Sequence, residues 1–379
     1  MQRPHFMTRI ASILSIAILT IACTSQLSES NQTTNVKQLS KTEALESPSL
    51  RVDTILQFSV MITAILQDSR GHYWFGSHGD GLCRYDGESY TYFTANKGLP
   101  NGSPREFAPG PDWDDVRKIN AGNQIGHIQE DKLGNIWITN GDNRICKFDG
   151  QEFRAVEVAA KFNYITDLTG SDWEAALNDI WMPTWAEMGI FRYDGHELRL
   201  YSLPKPYSTS RDGVSEAYFD REGNLWFGTM DNGIFRYDGD TFKRINKDNE
   251  MGVCRAVFQD SAGKIWAGNN RIGLANIEGD SLSLFTTKVH SSETSESGFG
   301  AQTIEQDKHG DIWIGTFSDG LWRYDGEQIN HYTKNESLII ETVKTIYKDN
   351  KGKLLFGIGE GSVYRYDGES FYRFDGEGR

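Results

Sequence analysis

The chain has 379 residues, with 39 Lys and Arg against 53 Asp and Glu, for a formal charge of −14. So acidic a surface repels phosphate backbones, which argues against a nucleic-acid partner. Twelve per cent aromatic residues and 39 glycines, with turn signals at short intervals, point to an all-β body.

In chain order, Arg3 and Arg9 flank the start of an apolar run from Ile10 to Ile21. The run is too short to span a bilayer comfortably, and residues 1–22 read as a secretory signal. Its end, Leu19-Thr20-Ile21-Ala22-Cys23, resembles the lipobox of bacterial lipoproteins, with Thr20 where that pattern prefers Leu. The resemblance implies an exported bacterial protein acylated at Cys23 and held at the outer membrane by its lipid. The Thr-Ser-Gln-Leu that follows carries no acidic tract, which favours the periplasmic side. Residues 24–50 are mostly Ser, Thr, Gln, Asn, Lys and Glu and cannot bury enough apolar surface to order themselves. Residues 23–50 are therefore expected to be the lipidated Cys and a flexible tether.

From residue 51 to 379 one unit recurs. Asp68-Ser-Arg-Gly71 leads to Tyr73-Trp74-Phe75, and the pattern returns at Asp131, Asp220, Asp260, Asp307 and Asp349. A further copy, Ile180-Trp181-Met182, has an insertion, residues 170–178, where its upstream turn should be. Each Asp-x-x-Gly reads as a tight hairpin between a strand a and an apolar strand b. A strand c ends in Arg-Tyr and a second hairpin, such as Asp86-Gly87 or Asp325-Gly326, whose preferred type I′ twist suits antiparallel strands. Strand d alternates, as in Thr241-Phe242-Lys243-Arg244-Ile245. Strand b is apolar on both faces, so both must be covered, whereas strand d is half wet. Seven such antiparallel units, each pressed between two neighbours, give a seven-bladed β-propeller of four-stranded blades. Residues 51–58 are a candidate closing strand, although the last repeat holds four strands of its own.

The unit Asp-x-x-Gly-x-Ile-Trp-Ile-Gly-Thr followed by Gly-Leu-x-Arg-Tyr-Asp, best seen from Asp307 to Asp325, resembles the two-component regulator propeller repeat. Lys97-Gly98-Leu99-Pro100 is similar to the link between units in that family. The resemblance covers residues 60–375. It implies a sensor-like propeller that recognises an oligosaccharide, with links to signal transduction. This chain departs from the family plan in carrying no transmembrane helix or kinase after the repeats.

Propeller ligands sit at one rim, where the b–c and d–a loops converge. The b–c loops hold His78 and Asp80, Trp185 and Glu187, Asp231, Asn270 and Arg271, Phe317 and Asp319, and Glu360. A carboxylate recurs there in six of the seven units. It reads either as a ring of acids for a cation or polyhydroxyl ligand, or as ordinary turn chemistry. Trp185 breaks a loop otherwise made of small residues and is a candidate stacking platform. The long insertion from Gly98 to Lys118, with Phe107 and Trp113, leaves from the same rim and is expected to wall the funnel. The strand-b tryptophans read as core, because burying each is worth roughly 3 kcal/mol.

Three cysteines remain after Cys23, namely Cys83, Cys146 and Cys254, an odd number that argues against a disulfide framework. They read as small core residues. No His-x-His or His-Glu-x-x-His pair exists, and no cofactor is expected, with calcium at the acidic loops the one alternative. The function expected is non-enzymatic binding of a glycan or peptide at one rim, with another envelope protein as a further partner. Two other readings compete. One is a lyase of the streptogramin-lyase type, whose family uses a His, a Glu and magnesium at the rim; the other is a protein–protein scaffold.

Overall fold

The computed structural model describes residue 56 and residues 58–374. Within that span, 96–97, 101–103, 107–117, 142–143, 160–162, 185–188, 208–212, 231, 246–252, 270–272, 286–299 and 334–339 lie outside the described residues, and of 104–106 and 118–121 only the backbone is described. The signal, Cys23 and the tether lie outside them too. Seven four-stranded sheets stand in a ring, each built from consecutive residues. Blade 1 runs Ile62–Gln67, Tyr73–Ser77, Leu82–Tyr85 and Tyr90–Phe93, in that spatial order. Blades 2, 4, 5, 6 and 7 repeat this order from inner strands Ile125–Glu130, Val214–Phe219, Cys254–Gln259, Ala301–Gln306 and Val343–Lys348. Inner strands of successive blades touch one another, as blade 7 touches blade 1, so they surround the axis. Among the described residues no helix is long and apolar enough to cross a membrane.

The Asp-x-x-Gly turn does more than reverse the chain. In blade 4, Asp220 Oδ1 accepts the backbone N–H groups of Glu222 and Asn224, while Oδ2 accepts the Trp226 Nε1–H at 2.8 Å. The same bond joins Trp74 to Asp68, Trp137 to Asp131, Trp266 to Asp260 and Trp313 to Asp307, at 2.8–3.0 Å. Each indole is thus satisfied within its own blade and free to pack into the next. Trp74 joins Ile136 and Phe148 of blade 2, Trp137 joins Met182 and Phe191 of blade 3, and the pattern continues around the ring. These tryptophans are 0–4 % exposed, as core residues should be. Arg84, Arg236 and Arg323 of the third strands lie over the same rings at 5.5–5.9 Å.

The seam between blades 7 and 1 differs, because Leu355 replaces the tryptophan. Tyr73 of blade 1 supplies the missing donor, its hydroxyl giving a hydrogen bond to Asp349 Oδ2 at 2.9 Å and accepting one from Arg365 at 2.9 Å. Phe374 fills the volume, packing edge-on against Tyr73 and Phe75 at 5.2 Å. Leu56 and Phe58 are buried in this cluster and belong to no described strand, and the other residues of the expected closing strand, 51–55 and 57, lie outside the described residues.

Blade 3 departs from four consecutive antiparallel strands. Its Trp-bearing strand, Ile180–Pro183, is the innermost described, followed by Gly189–Tyr193 and Leu198–Ser202. The fourth strand, Asn163–Tyr164, pairs in parallel on the outer edge. The inserted residues form a short helix, α1 (Gly170–Ala176), whose Trp173 packs on Tyr237 of blade 4 at 4.8 Å. The physical reason shows in neighbouring residues. In five blades strand b carries a glycine two places after its core position. A Cβ there would meet the next inner strand, as at Gly76 (Ile125, 2.6 Å) or Gly315 (the Val343 carbonyl, 2.7 Å). Blade 2 carries Thr139 at this place and blade 3 carries Pro183. Thr139 accepts the His127 N–H of its own blade, and among the described residues blade 3 has no strand inside Ile180–Pro183 to meet it. Pro183 lies on an edge with no partner strand among the described residues, where a residue without an N–H is tolerated.

The long insertion closes at its base as a hairpin, Pro104–Glu106 against Lys118–Asn120. Cys83, Cys146 and Cys254 are buried free thiols.

Candidate functional site

Each of the six described inner strands starts with a β-bulge, where the register against strand b slips by one residue or more. A bulge turns one side chain out of the ladder. The bulged positions carry Thr63, Gly126, Ser215, Arg255, Gln302 and Lys344, each followed by a second residue such as His127 or Glu216. Thr63 and Ser215 use their hydroxyls to bond the neighbouring inner strand, at the carbonyls of Ile125 and Cys254. The longer side chains gather. Lys344 of blade 7 donates to Gln302 Oε1 of blade 6 at 3.2 Å. The same ammonium acts electrostatically on His78, His127 and Glu216 of blades 1, 2 and 4, and feels Arg255 of blade 5. Only the centre of the ring lets one side chain meet groups from five other blades.

Burial dominates the electrostatics of this cluster. It pushes the Glu216 carboxyl up to about 7, with Lys344 partly opposing. It lowers Lys344 to about 8, helped by Arg255 and opposed by Glu216. His127 is brought down to about 4 by burial and the lysine, so its imidazole is neutral at pH 7. His78 and Arg255 are lowered for the same first reason. Two buried nitrogens on blade 2, His127 Nε2 and Gln124 Nε2, have no hydrogen-bond partner among the described residues. In blade 6 the residue matching His127 is Thr303, whose hydroxyl receives the Ile346 N–H of the next inner strand. No described inner strand stands on that side of His127.

Of the residues singled out in the sequence, His78 belongs to this centre. Its backbone N–H bonds the Met61 carbonyl, and Phe317 makes the matching bond to Gly300 in blade 6. Phe317 is 58 % exposed. Asp80 and Asp319 are engaged within the chain. Asp80 Oδ2 accepts the Ser59 N–H at 2.5 Å, and Asp319 lies against His331, 3.4 Å from its Nε2. Glu360 is exposed. Among the described residues no group of three or more His, Cys, Asp or Glu is arranged to hold a metal. Trp185, Glu187, Asp231, Asn270, Arg271, Phe107 and Trp113 lie outside the described residues.

Sequence reading passed over Lys344, Arg255, Gln302, Glu216 and His127. The available signal was a charged or polar residue just inside the apolar start of strand a, as in Val343-Lys344 and Cys254-Arg255.

The sequence pattern described as Two component regulator propeller matches residues 57–79. The fold is similar to the extracellular domain of a hybrid two-component system from B. thetaiotaomicron, at 18% identity and TM-score 0.54; the match covers 81% of this chain and 40% of that one. It is also similar to virginiamycin B lyase from Staphylococcus aureus, at 16% identity and TM-score 0.56, covering 82% and 96% of the two chains. A third likeness is YCF48 bound to a peptide, at 12% identity and TM-score 0.53, covering 82% and 95%. No curated protein matches the chain. At these identities the likenesses speak for the fold, a seven-bladed β-propeller, in which residues 57–79 match the two-component regulator propeller repeat.

Proposed function

We propose that this protein is a binding module of the bacterial envelope, taking a glycan or peptide at the mouth of its axial funnel and doing no chemistry on it. One observation carries this reading. Polar and charged side chains from six blades converge on the axis, and burial penalises the charges there, yet the fold keeps them. Core packing would favour apolar residues at those positions. A site that must hydrogen-bond a guest explains them. The sensor-like role, the lipid anchor at Cys23 and the periplasmic address belong to the same proposal, supported by the repeat and by the signal-like N-terminus. The scaffold reading has less support, since among the described residues the large exposed apolar side chains Leu133, Leu284 and Phe317 lie on three different blades.

A thermal-shift screen of oligosaccharides and peptides tests the proposal. Saturation at 100 times the dissociation constant adds about 2.7 kcal/mol of stability. Hits should be lost in Lys344→Met and weakened in Trp185→Ala, with both variants still folded. Hits that survive both changes would move the site elsewhere. A lyase reading draws on one feature, a carboxyl at about 7 and a neutral histidine in the same funnel. Incubation with virginiamycin B, the compound named in that neighbour, decides it: no turnover is expected.

A further inference from the structure

We infer that the rim opposite the funnel holds a second binding site, a groove between blades 6 and 7 that takes a phosphate monoester on an organic body through Lys308 and Lys351. The inference stands apart from the funnel reading and uses none of its residues.

The repeat itself makes the groove. The Asp-x-x-Gly turns and the Asp-Gly hairpins stand at the opposite end of the strands from the b–c loops. A seam therefore sets the first turn of one blade against the first turn and second hairpin of the next. Between blades 6 and 7 this leaves a cavity of about 530 Å³, with Leu354, Tyr366 and Tyr372 of blade 7 lining it beside Trp313 of blade 6. Small organic ligands occupy cavities of roughly 300–1,000 Å³. The same place between blades 4 and 5 encloses about 390 Å³. The space thus recurs with the repeat, and the lining decides what it can hold.

The two linings differ at matching positions. Blade 4 puts Glu222 into its groove where blade 6 puts His309, and blade 5 puts Ala262 where blade 7 puts Lys351. The carboxylates lining the 6/7 groove are Asp307 and Asp367, and both are spent on their own turns. Asp307 accepts the His309 and Asp311 N–H groups and the Trp313 indole N–H, and Asp367 accepts the Glu369 and Ser370 N–H groups. Arg323 gives its fork to Asp311 at 2.5–2.7 Å. Lys308 and Lys351, one from each blade, are exposed, and neither ammonium has a hydrogen bond or ion pair among the described residues. Two cations from different blades thus border one cavity with no carboxylate of their own.

These donors choose among anions. A carboxylate is best matched by the planar fork of an arginine, and Arg323, the arginine of this lining, is engaged. Ammonium groups on flexible stems are point charges, which suit a tetrahedral group carrying close to two negative charges at pH 7. The leucine and tyrosine walls give the rest of the guest a surface to pack on, so an ester fits better than free phosphate. Lys351 also borders a cavity of about 160 Å³ at the seam between blades 7 and 1, which is below the size of such a guest.

Calorimetric titration of the full chain with glucose 6-phosphate, glucose, glucuronate and inorganic phosphate tests this. Phosphatidylcholine vesicles with and without phosphatidic acid form a further arm. Glucose 6-phosphate should bind, and more weakly as salt rises. Glucuronate and inorganic phosphate should each bind roughly tenfold or more weakly, and glucose not at all. Lys308→Ser and Lys351→Ala copy what blade 5 carries at these turn positions, so both variants should melt as the parent does. Each should weaken glucose 6-phosphate roughly tenfold, and adding His309→Glu, copied from blade 4, should abolish binding. Phosphatidic acid vesicles that bind where glucose 6-phosphate does not, and are lost in the same variants, would place the ester on a lipid headgroup and keep the site. Glucuronate or inorganic phosphate bound as tightly as the ester would overturn the ligand assignment. Binding that survives all three changes, or silence from every probe, would overturn the site.

Discussion

The seams between blades and the axis they enclose follow opposite rules. At six of the seven seams a tryptophan donates to its own blade's aspartate or, in blade 3, to the Ala176 carbonyl, and buries its ring in the next blade. Each of these six indole N–H groups has its partner. At the axis, lysine, arginine, glutamate and histidine sit where burial penalises their charge, and two nitrogens on blade 2 have no partner among the described residues. Paired indoles and buried rings hold the blades together, while the centre carries groups whose charge burial penalises, which is where binding groups are found.

The largest effects should come from breaking a seam. Trp137→Ala removes a fully buried ring and should lower stability by about 3–5 kcal/mol, measured by urea unfolding. At the closing seam Asp349→Ala leaves Arg365, 4 % exposed, without its carboxylate and should cost a similar ~3–5 kcal/mol. A smaller loss there would mean that Phe374 packing alone closes the ring.

Copying blade 2 into blade 6 sharpens the comparison. Gly315→Thr places the side chain that blade 2 carries at Thr139 against the Val343 carbonyl, 2.7 Å from the new Cβ. A loss of about 3 kcal/mol is expected. No loss would show that the inner strands are looser than the described spacing.

The axis should respond to pH. In the folded chain the Glu216 carboxyl stands near 7 rather than its ordinary 4.5. Its contribution to stability is full below the ordinary value and is lost as pH rises through the folded one. Glu216→Gln should remove this fall, on the order of 3 kcal/mol between about pH 4.5 and 7, followed by thermal unfolding across that range. Lys344→Met should act in the opposite sense, raising stability at pH 7 by about 1–2 kcal/mol while abolishing ligand binding. Burial lowers the lysine to about 8, so what it contributes in the strongly alkaline range is already lost at pH 7.

Local chemistry made much of this protein legible from sequence. Asp-x-x-Gly turns, Asp-Gly hairpins and strands apolar on both faces are short-range signals, and their repetition fixed the number of blades. The same signals assigned the tryptophans and cysteines to the core. Even the odd blade left marks, in a missing turn and in Thr139 and Pro183 where its siblings have glycine. Tertiary structure decided what depends on residues far apart in the chain. It brought Lys344, Arg255, Gln302, Glu216 and His127 together, since a ring places the starts of its inner strands at one centre whatever their separation in sequence. It also recruited Tyr73 and Phe374 to the seam that Leu355 leaves short. For a carboxylate such as Asp80 or Asp319 the sequence left a ligand role and a turn role side by side, because turn-forming and ligand-binding acids share the same residue types. Only the position of Ser59 and His331 shows what each one holds.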